Sequence, residues 1–286
     1  MEQKITLQDI AIVIVLYGKN LVDTDTYKGL LVATTADNLG QMNLVVYDNS
    51  LEADSNINTT DLKVIKYFHD PSNPGVSHAY NYAAEFAKQQ KMRWLILFDQ
   101  DTKITNGALE IYIRHINEYQ DIRLFSPMLI SNNYIVSPSI FKNRRGRSIK
   151  SLTFGLKDFA ELSPLNSGIA ISLATFFKVG GYNESVPLDY SDYAFIDRVK
   201  NHVDRFFLLP LEFDHGLSSF EKPSLSSSLF RFESLCKGLI NTSENRRSMR
   251  QSFLVAGRRA ARLTFKYKNP IFIKVLMQKF LLPGKY

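Results

Sequence analysis

Two carboxylates one residue apart, Asp99 and Asp101, directly follow the apolar run Trp94-Leu95-Ile96-Leu97-Phe98. A short apolar run without polar alternation is typical of a strand buried on both faces of an α/β sheet. Open α/β sheets bind ligands at the carboxyl ends of their strands, where this pair would lie. Because close carboxylates repel each other without a cation, the pair indicates a divalent metal site. The alternative is a solvated acidic turn that caps the next helix.

A third carboxylate, Asp48, follows a second apolar segment at residues 43–47. Two separate strands would then deliver carboxylates to the same edge of one sheet. One carboxylate could accept a hydrogen bond from a nucleobase while the others hold a metal against phosphates. The segment Asp48-Asn49-Ser50 is also typical of an Asx turn, in which the Asp side chain bonds the backbone two residues on.

The elements that would position these residues alternate between strand and helix patterns over the first hundred residues. Strands are predicted at 10–16, 43–47, 62–67 and 94–98, with helices at about 21–39 and from Ser77, as the cap, to about 88. This order predicts an α/β fold with a mostly parallel sheet. A helix at about 108–119 and short strands near Leu124, Tyr134 and Ser151 follow. From about residue 225 the chain is predicted to be helical.

Seven segments in collinear order resemble successive motifs of family 2 glycosyltransferases. They are Ile-Val-Leu-Tyr-Gly-Lys-Asn at 14–20, Val-Val-Tyr-Asp-Asn-Ser at 45–50, Asn-Pro-Gly-Val-Ser-His-Ala-Tyr-Asn at 73–81, Phe-Asp-Gln-Asp-Thr at 98–102, Asn-Ser-Gly at 166–168, Val-Gly-Gly-Tyr at 179–182 and Asp-Tyr-Ser-Asp at 189–192. The form Phe-Asp-Gln-Asp is similar to that of the bacterial rhamnosyltransferase-like branch. The resemblance covers residues 10–220 and implies a GT-A fold, with a mostly parallel nucleotide-binding sheet flanked by helices.

The resemblance also implies a role for individual residues. The residues expected to bind the nucleotide sugar are Tyr17, Asp48, Asn73, Asn81 and Asp99. The residues expected to bind a divalent metal, Mg²⁺ or Mn²⁺, are Asp101 and His215, although a lone histidine is as often structural. The residues expected to form the acceptor side are Asn166, Ser167 and Gly168. The residue expected to act as the catalytic base is Asp192.

The chemistry of sugar transfer requires both kinds of group. Transfer from a nucleotide diphosphate develops negative charge on the leaving phosphate, which a metal neutralises. The acceptor hydroxyl must lose a proton, so a carboxylate such as Asp192 is needed within hydrogen-bond reach. Asp189 is the alternative base. The chain departs from the family at Ala194, where a second acid is common, and at Asp197, where an apolar residue is more usual.

Charge is concentrated at the C-terminus. Residues 231–286 hold thirteen Lys or Arg and two Glu, a net charge of +11, whereas residues 1–230 carry −4. The basic residues Arg258, Arg259, Arg262 and Lys266 recur at helical spacing, and the apolar residues Phe253, Leu254 and Leu263 can lie on another face. Such a helix is typical of peripheral contact with an anionic membrane. Packing of an amphipathic helix against the catalytic domain is the alternative.

We expect residues 1–225 to form the catalytic domain, with a nucleotide-sugar half at about 8–103 and an acceptor half at about 104–225, and residues 226–286 to form a basic helical extension. The single cysteine, Cys236, excludes an intrachain disulfide. The N-terminus lacks the pattern of a signal peptide, and no apolar stretch reaches the roughly 18 residues of a spanning helix. A cytoplasmic location, peripheral on the inner face of the cell membrane, is therefore expected.

The expected function is inverting, metal-dependent sugar transfer from a nucleotide sugar, with dTDP-rhamnose as the favoured donor, to a glycan or lipid-linked glycan of a bacterial O-antigen or capsule. Galactofuranosyl transfer, or transfer of another UDP-sugar, is the alternative. A nucleotidyltransferase would require a glycine-rich basic loop after the first strand, and residues 17–20 contain one Gly and one Lys. No nucleic-acid partner is expected, because the chain has no zinc-ligand spacing or RNA-recognition motif.

Overall fold

The elements are taken from a computed structural model that describes residues 4–215 and 224–281. Its strands are β1 (Ile10–Leu16), β2 (Asn43–Asp48), β3 (Val64–His69), β4 (Trp94–Asp99), β5 (Thr102–Lys103), β6 (Leu124–Ser131), β7 (Tyr134–Lys142), β8 (Arg145–Ile149), β9 (Gly155–Asp158), β10 (Leu162–Ser163), β11 (Ile169–Ser172) and β12 (Arg205–His215). Its α-helices are α1 (Asp25–Val32), α2 (Ala36–Leu39), α3 (Val76–Gln89), α4 (Ala108–Glu118), α5 (Leu173–Lys178), α6 (Ser191–Val199), α7 (Leu225–Asn241), α8 (Arg246–Tyr267) and α9 (Ile271–Leu281). Short 3-10 turns cover Leu7–Asp9, Leu21–Asp23 and Ile57–Thr59.

One sheet organises the described chain, and its two halves differ in strand direction. The path runs β10-β7-β6-β11-β4-β1-β2-β3. Strands β4, β1, β2 and β3 are mutually parallel, which confirms the parallel sheet predicted for the first hundred residues. Strand β11 is antiparallel to both β4 and β6, and β12 is parallel to β6. The second half is therefore mixed.

Strand β1 is buried on both faces because helices cover both sides of the sheet. Ile10, Ile12, Ile14 and Leu16 pack with residues of α1 and α4 in one apolar cluster. Ala11, Val13 and Val15 face a second cluster that includes four alanines and Tyr80 of α3. This two-sided burial explains why the strand has no polar alternation.

The three C-terminal helices pack on the preceding part of the chain through a third apolar cluster. Phe232, Cys236 and Leu239 of α7 meet residues of α8 and α9 there, together with Val186, Tyr190 and Ala194 from around α6. The packing alternative for this segment is thus observed. No helix among the described residues is long and apolar enough to cross a membrane. Residues 216–217, which follow His215, and residues 282–286 lie outside the described range.

Three local predictions are wrong. The helix predicted at 21–39 is broken after Val32, because the carbonyls of Val32 and Ala33 accept hydrogen bonds from the amides of Gly107 and Leu109. No strand forms at Ser151, which lies between β8 and β9. Ser77 does not cap α3, since its hydroxyl donates to the carbonyl of Val186 at 2.6 Å.

Candidate active site

Carboxylates from two strands flank the end of β1. In the strand register, Leu16 pairs with Asp48 of β2, and Val15 pairs with Asp99 of β4. Asp48 and Asp99 therefore lie at the same carboxyl edge of the parallel sheet. This arrangement was predicted from the apolar runs before each residue and is confirmed.

A cluster of three metal-ligating side chains forms beside this edge. One ligand atom from each of Asp99, Asp101 and His215 lies within 4.8 Å of the other two. His215 Nδ1 is 3.7 Å from Asp101 Oδ1. Three potential ligand atoms this close together could hold one divalent ion. The two carboxylates suit Mg²⁺ or Mn²⁺, whereas an imidazole is the more usual ligand of Zn²⁺, Fe, Cu or Ni.

The electrostatics of the cluster favour a cation. Burial, and then the charge of Asp99, raises the pKa of Asp101 to about 6. His215 and Lys19 act in the opposite direction. The negative charge of this site is therefore only partly offset by the protein, and a divalent ion would offset the remainder.

A chain of hydrogen bonds holds the cluster in place. The Asp99 amide donates to Ser167 Oγ at 3.1 Å, and Ser167 Oγ lies 2.6 Å from Thr102 Oγ1. Thr102 Oγ1 is in turn 3.0 Å from His215 Nδ1. This network fixes the orientation of the imidazole, as supporting bonds do around metal ligands.

Asp192 occupies a separate position at the start of α6. Burial, together with the charges of Asp99 and Asp189, raises the pKa of its carboxyl to about 7, against the lowering effect of a hydrogen bond from the Tyr193 amide. That bond reaches Oδ1 at 2.7 Å. The charge of Asp99 acts on both Asp101 and Asp192, so the three carboxylates are electrostatically coupled.

Asp189, the alternative base, is already paired. Arg231 of α7 donates to Asp189 Oδ1 from Nη2 at 2.8 Å and to Oδ2 from Nε at 3.2 Å. Both Asp189 oxygens are therefore engaged by one guanidinium, which leaves Asp192 as the more available carboxylate for an acceptor hydroxyl. The departures from the family have structural explanations: Ala194 packs in the C-terminal cluster, and Asp197 pairs with Lys200 on the same helix.

The carboxylate of Asp48 is enclosed by its own loop. It accepts hydrogen bonds from the Ser50 amide at 2.9 Å, the Asp54 amide at 3.2 Å and the Tyr67 hydroxyl at 2.8 Å. Its side chain has no exposed surface. The Asx-turn alternative is thus present, and contact with a nucleobase stays a prediction that requires residues 50–54 to open. Neighbouring Asn49 has a buried Oδ1 without a partner among the described residues.

The amide of Asn81 is fully engaged with the protein. Its Oδ1 accepts from the Tyr182 amide at 2.7 Å, and its Nδ2 donates to the Tyr182 carbonyl and to Glu184 Oε1, both at 2.9 Å. Asn73 lies in a left-handed turn with φ 49°. The same turn includes Gly75, where a Cβ would lie 2.3 Å from the carbonyl oxygen of Pro187. Nucleotide contact by these two asparagines stays a prediction.

Tyr17 lies on the loop after β1. Gln100, between Asp99 and Asp101, forms two hydrogen bonds with the backbone of this loop. The Tyr17 amide donates to Gln100 Oε1 at 2.8 Å, and Gln100 Nε2 donates to the Tyr17 carbonyl at 3.1 Å. The Tyr17 side chain is 63% exposed, so its ring is open to a ligand. The middle residue of Asp-Gln-Asp therefore joins two predicted parts of the site.

Comparison with known proteins agrees with this geometry. Residues 38–153 match the family model described as glycosyl transferase family 2. This segment of the chain is similar to family 2 glycosyltransferases. The chain is 24% identical over 173 residues to dTDP-rhamnosyl transferase RfbF of Shigella flexneri, an alignment that covers 58% of this chain and 57% of that protein. The matched region thus spans just over half the length of this relative.

Solved structures support the fold of the chain. The crystal structure of GalNAc-T7 with UDP, GalNAc and Mn²⁺ matches with a TM-score of 0.59 and 12% identity, over 96% of this chain and 56% of that one. The structure of S. aureus TarS 1-349 matches with a TM-score of 0.51 and 15% identity, over 97% and 92%. Together with the family match, this agreement confirms the predicted GT-A fold.

The Asn-Ser-Gly segment lies against the sheet. Asn166 Oδ1 accepts from the Tyr182 hydroxyl at 2.7 Å. Gly168 has φ 81°, and a Cβ there would lie 2.4 Å from Pro127 Cγ. Ser167 belongs to the hydrogen-bond network of the metal cluster, as described above. The structure places these residues beneath the cluster, and their contact with an acceptor stays a prediction.

Three residues of the site were missed by the sequence analysis. Tyr80 is fully buried and donates to Asp99 Oδ1 at 3.0 Å. Thr102 bridges Ser167 and His215, and Arg231 holds Asp189. The motifs that contain Tyr80 and Thr102 offered a signal, because both lie next to predicted site residues. Arg231 gave none, since its partner is 42 residues away in sequence.

Proposed function

We propose that the chain is an inverting, metal-dependent glycosyltransferase that moves a sugar from a nucleotide sugar to a glycan acceptor. The observation that carries this proposal is the convergence of Asp99, Asp101 and His215 within 4.8 Å. Asp192, at the start of α6, is a further carboxylate with a pKa of about 7. A divalent ion held by the cluster would neutralise the charge that develops on the departing diphosphate.

Asp192 acts as the base in this proposal. The acceptor oxygen bonds to the anomeric carbon as the bond to the nucleotide diphosphate breaks, and the hydroxyl proton passes to the Asp192 carboxylate. Since Oδ1 accepts from the Tyr193 amide, Oδ2 is the oxygen assigned to the acceptor hydroxyl. A base with a pKa near the working pH is effective in proton transfer. Attack from the face opposite the leaving group inverts the anomeric centre.

The remaining predicted residues receive supporting roles. Asp48, Tyr17, Asn73 and Asn81 are assigned to the nucleotide, because all four lie around the carboxyl edge of the parallel half of the sheet or on the helix that follows it. Asp99 is assigned both to the metal and to the nucleotide side. Asn166, Ser167 and Gly168 are assigned to the floor between donor and acceptor.

The donor in this proposal is dTDP-rhamnose. Support comes from the similarity to a protein named as a dTDP-rhamnosyl transferase. A UDP-sugar, including UDP-galactofuranose, is the alternative, because one carboxylate contact suits both thymine and uracil. The product would be a bacterial surface polysaccharide such as O-antigen or capsule, built on a lipid-linked acceptor.

A donor panel tests the assignment. The purified protein is incubated with Mn²⁺ or Mg²⁺, a lipid-linked glycan acceptor, and dTDP-rhamnose or one of several UDP- and GDP-sugars, and glycan products are followed by mass spectrometry. We expect turnover with dTDP-rhamnose and none in EDTA. Turnover with UDP-sugars alone would overturn the rhamnose assignment, and equal turnover in EDTA would overturn the metal requirement.

Peripheral membrane contact through the C-terminal helices also belongs to this proposal. On α8, Leu254, Arg258, Arg262, Phe265 and Lys266 are exposed at helical spacing, and Phe265 is 88% exposed. Arg259, which was predicted on the same strip, is instead half-buried, and the charges of Asp189 and Arg231 act on it. Basic and apolar side chains on one exposed face suit an anionic lipid surface. The proposed location is the cytoplasmic face of the cell membrane.

A further inference from the structure

The C-terminal helices reach the residues beside Asp192 through an ion pair. Arg231 of α7 holds both oxygens of Asp189, at 2.8 and 3.2 Å. The Asp189 side chain is 13% exposed, and that of Arg231 is 32% exposed. Paired hydrogen bonds of this kind fix direction as well as distance. Asp189 precedes Asp192 by three residues, so the ion pair lies just before the first residue of α6.

The backbone between these two acids is strained. Tyr190 has φ 82°, in the left-handed region, and immediately precedes α6. A bulky residue adopts this conformation only where its surroundings hold it there. Its position decides the direction in which α6 begins, and hence where the Asp192 carboxylate points.

Helix α7 contacts the same turn a second time. Gly238 lies so close to it that a Cβ would be 2.8 Å from the carbonyl oxygen of Asp189 and 3.1 Å from Tyr190 Cβ. Arg231 and Gly238 are two turns apart and lie on one face of α7. The Arg144 guanidinium lies 5.1 Å from the centre of the Tyr190 ring and donates to the carbonyls of Leu239 and Thr242. The strained turn is thus enclosed by α7 and the β7–β8 hairpin.

The charge of Arg231 also acts on the carboxylates of the site. Burial acts to lower the pKa of this guanidinium, whereas Asp189, Asp99 and Asp101 act to raise it, and the net effect is a rise. The exposed basic strip described above lies on a different helix, α8.

We propose that Arg231 is a positioning residue, which fixes the catalytic base through its ion pair with Asp189 and makes the C-terminal helices part of the active site. The inference rests on the proposed function, in which Asp192 is the base. It assigns α7 a task in sugar transfer that is independent of lipid contact. A displacement of about 1 Å at a reacting group can reduce turnover a hundredfold.

The test uses the full chain with soluble acceptor and donor. Arg231→Met removes the paired hydrogen bonds, Arg231→Lys keeps the charge but loses the fork, and Asp189→Asn removes the partner. We expect kcat to fall about tenfold to a hundredfold for Arg231→Met, less for Arg231→Lys, and no further in the double variant Arg231→Met/Asp189→Asn. The donor KM and Mn²⁺-dependent nucleotide binding should stay within about twofold. Lys237→Met, an exposed substitution on the same helix, should behave as the parent protein.

Activity is expressed per folded molecule, with the folded fraction taken from circular dichroism. A wild-type kcat in folded Arg231→Met would overturn the inference, as would a loss confined to nucleotide binding or to the melting temperature. The variant Asp192→Asn distinguishes failure of the positioning role of Arg231 from failure of the proposed function. If Asp192→Asn abolishes turnover while Arg231→Met does not, only the positioning role fails. If Asp192→Asn retains turnover, the assignment of the base fails first, and the inference fails with it.

Discussion

The hydroxyl of Tyr80 donates to Asp99 Oδ1 at 3.0 Å from a fully buried position on α3. This bond occupies one carboxylate oxygen and restricts rotation of the Asp99 side chain. Tyr80 also lies 5.1 Å from the ring of Tyr182, whose hydroxyl bonds Asn166. One aromatic pair thus connects the metal cluster with the Asn-Ser-Gly segment.

Tyr80→Phe should weaken metal binding without unfolding the protein. The substitution keeps the ring and its packing but frees the Asp99 carboxylate to rotate. Loss of a supporting hydrogen bond typically costs about tenfold or more in metal affinity or activity. We expect the Mn²⁺ concentration for half-maximal turnover to rise by about tenfold, measured in a metal titration. Tyr27→Phe, at another buried tyrosine whose hydroxyl accepts from the Asp61 amide, is the matched control, and an equal shift there would contradict the explanation.

Asp101→Asn should abolish metal-dependent nucleotide binding. The amide keeps the size of the side chain but removes the negative charge and one strong oxygen ligand. Isothermal titration with dTDP in the presence and absence of Mn²⁺ should show the metal enhancement for the parent protein and none for the variant. Asp121→Asn, at an exposed acid, should leave the enhancement intact. Retention of the enhancement in Asp101→Asn would exclude this residue as a ligand.

Asp192→Asn should leave donor and metal binding unchanged and reduce kcat by about a hundredfold to ten-thousandfold, which is the usual contribution of a positioned base. In this variant kcat should therefore fall while nucleotide affinity stays unchanged, whereas in Asp101→Asn both kcat and nucleotide affinity should fall. Comparable losses of nucleotide affinity in both variants would show that the two carboxylates do not act as separate stations.

The pH dependence of turnover should reflect the ionisation of Asp192. A base works in its ionised form, and burial raises the pKa of Asp192 to about 7. Turnover should consequently fall as the pH drops below about 7. Bound metal should shift the midpoint of this acidic limb of the pH profile to a lower pH, because the metal offsets the charge of Asp99. The limb is measured as kcat against pH at saturating donor and Mn²⁺. A rate that stays constant from pH 8 down to pH 5 would contradict a base with a raised pKa.

The positions of the strand ends could be predicted because they depend on residues that are adjacent in sequence. The apolar runs before Asp48 and Asp99 are buried on both faces, and parallel strands place their carboxyl ends at one edge. His215 was included through its motif. The bond from the Ser50 amide to Asp48 was predicted only as the Asx-turn alternative. The bonds from Asp54 and Tyr67 were not predicted, because they depend on how the following loop closes.

The C-terminal contacts could not be predicted from spacing. Arg258 and Arg259 are neighbours in a basic pattern, yet one is exposed and the other faces Asp189. Helical periodicity gives the angle between two side chains but not which side meets the catalytic domain. The fork between Arg231 and Asp189 depends on the docking of α7, which is decided by apolar residues such as Phe232 and Leu239.

Membrane contact should depend on the outer face of α8. Phe265 is 88% exposed, and burial of such a side chain in lipid contributes about 2 kcal/mol. Each basic residue near an anionic surface contributes about 1 kcal/mol. Arg258→Gln/Arg262→Gln should thus reduce binding to phosphatidylglycerol vesicles by about thirtyfold, and Phe265→Ser by a similar factor, measured by vesicle sedimentation. The first loss should disappear at high salt and the second should not, because only charge attraction is screened.

A control double variant at two basic residues outside α8 distinguishes a specific effect of the basic strip from an effect of net positive charge. Lys63→Gln/Arg114→Gln removes two exposed cations that lie outside the C-terminal helices and changes the net charge equally. If the strip is the lipid-binding face, this variant should sediment with vesicles as the parent protein does, and turnover of a soluble acceptor should be normal in all three variants. Equal losses in both double variants would mean that net charge, and not α8, brings the protein to the lipid.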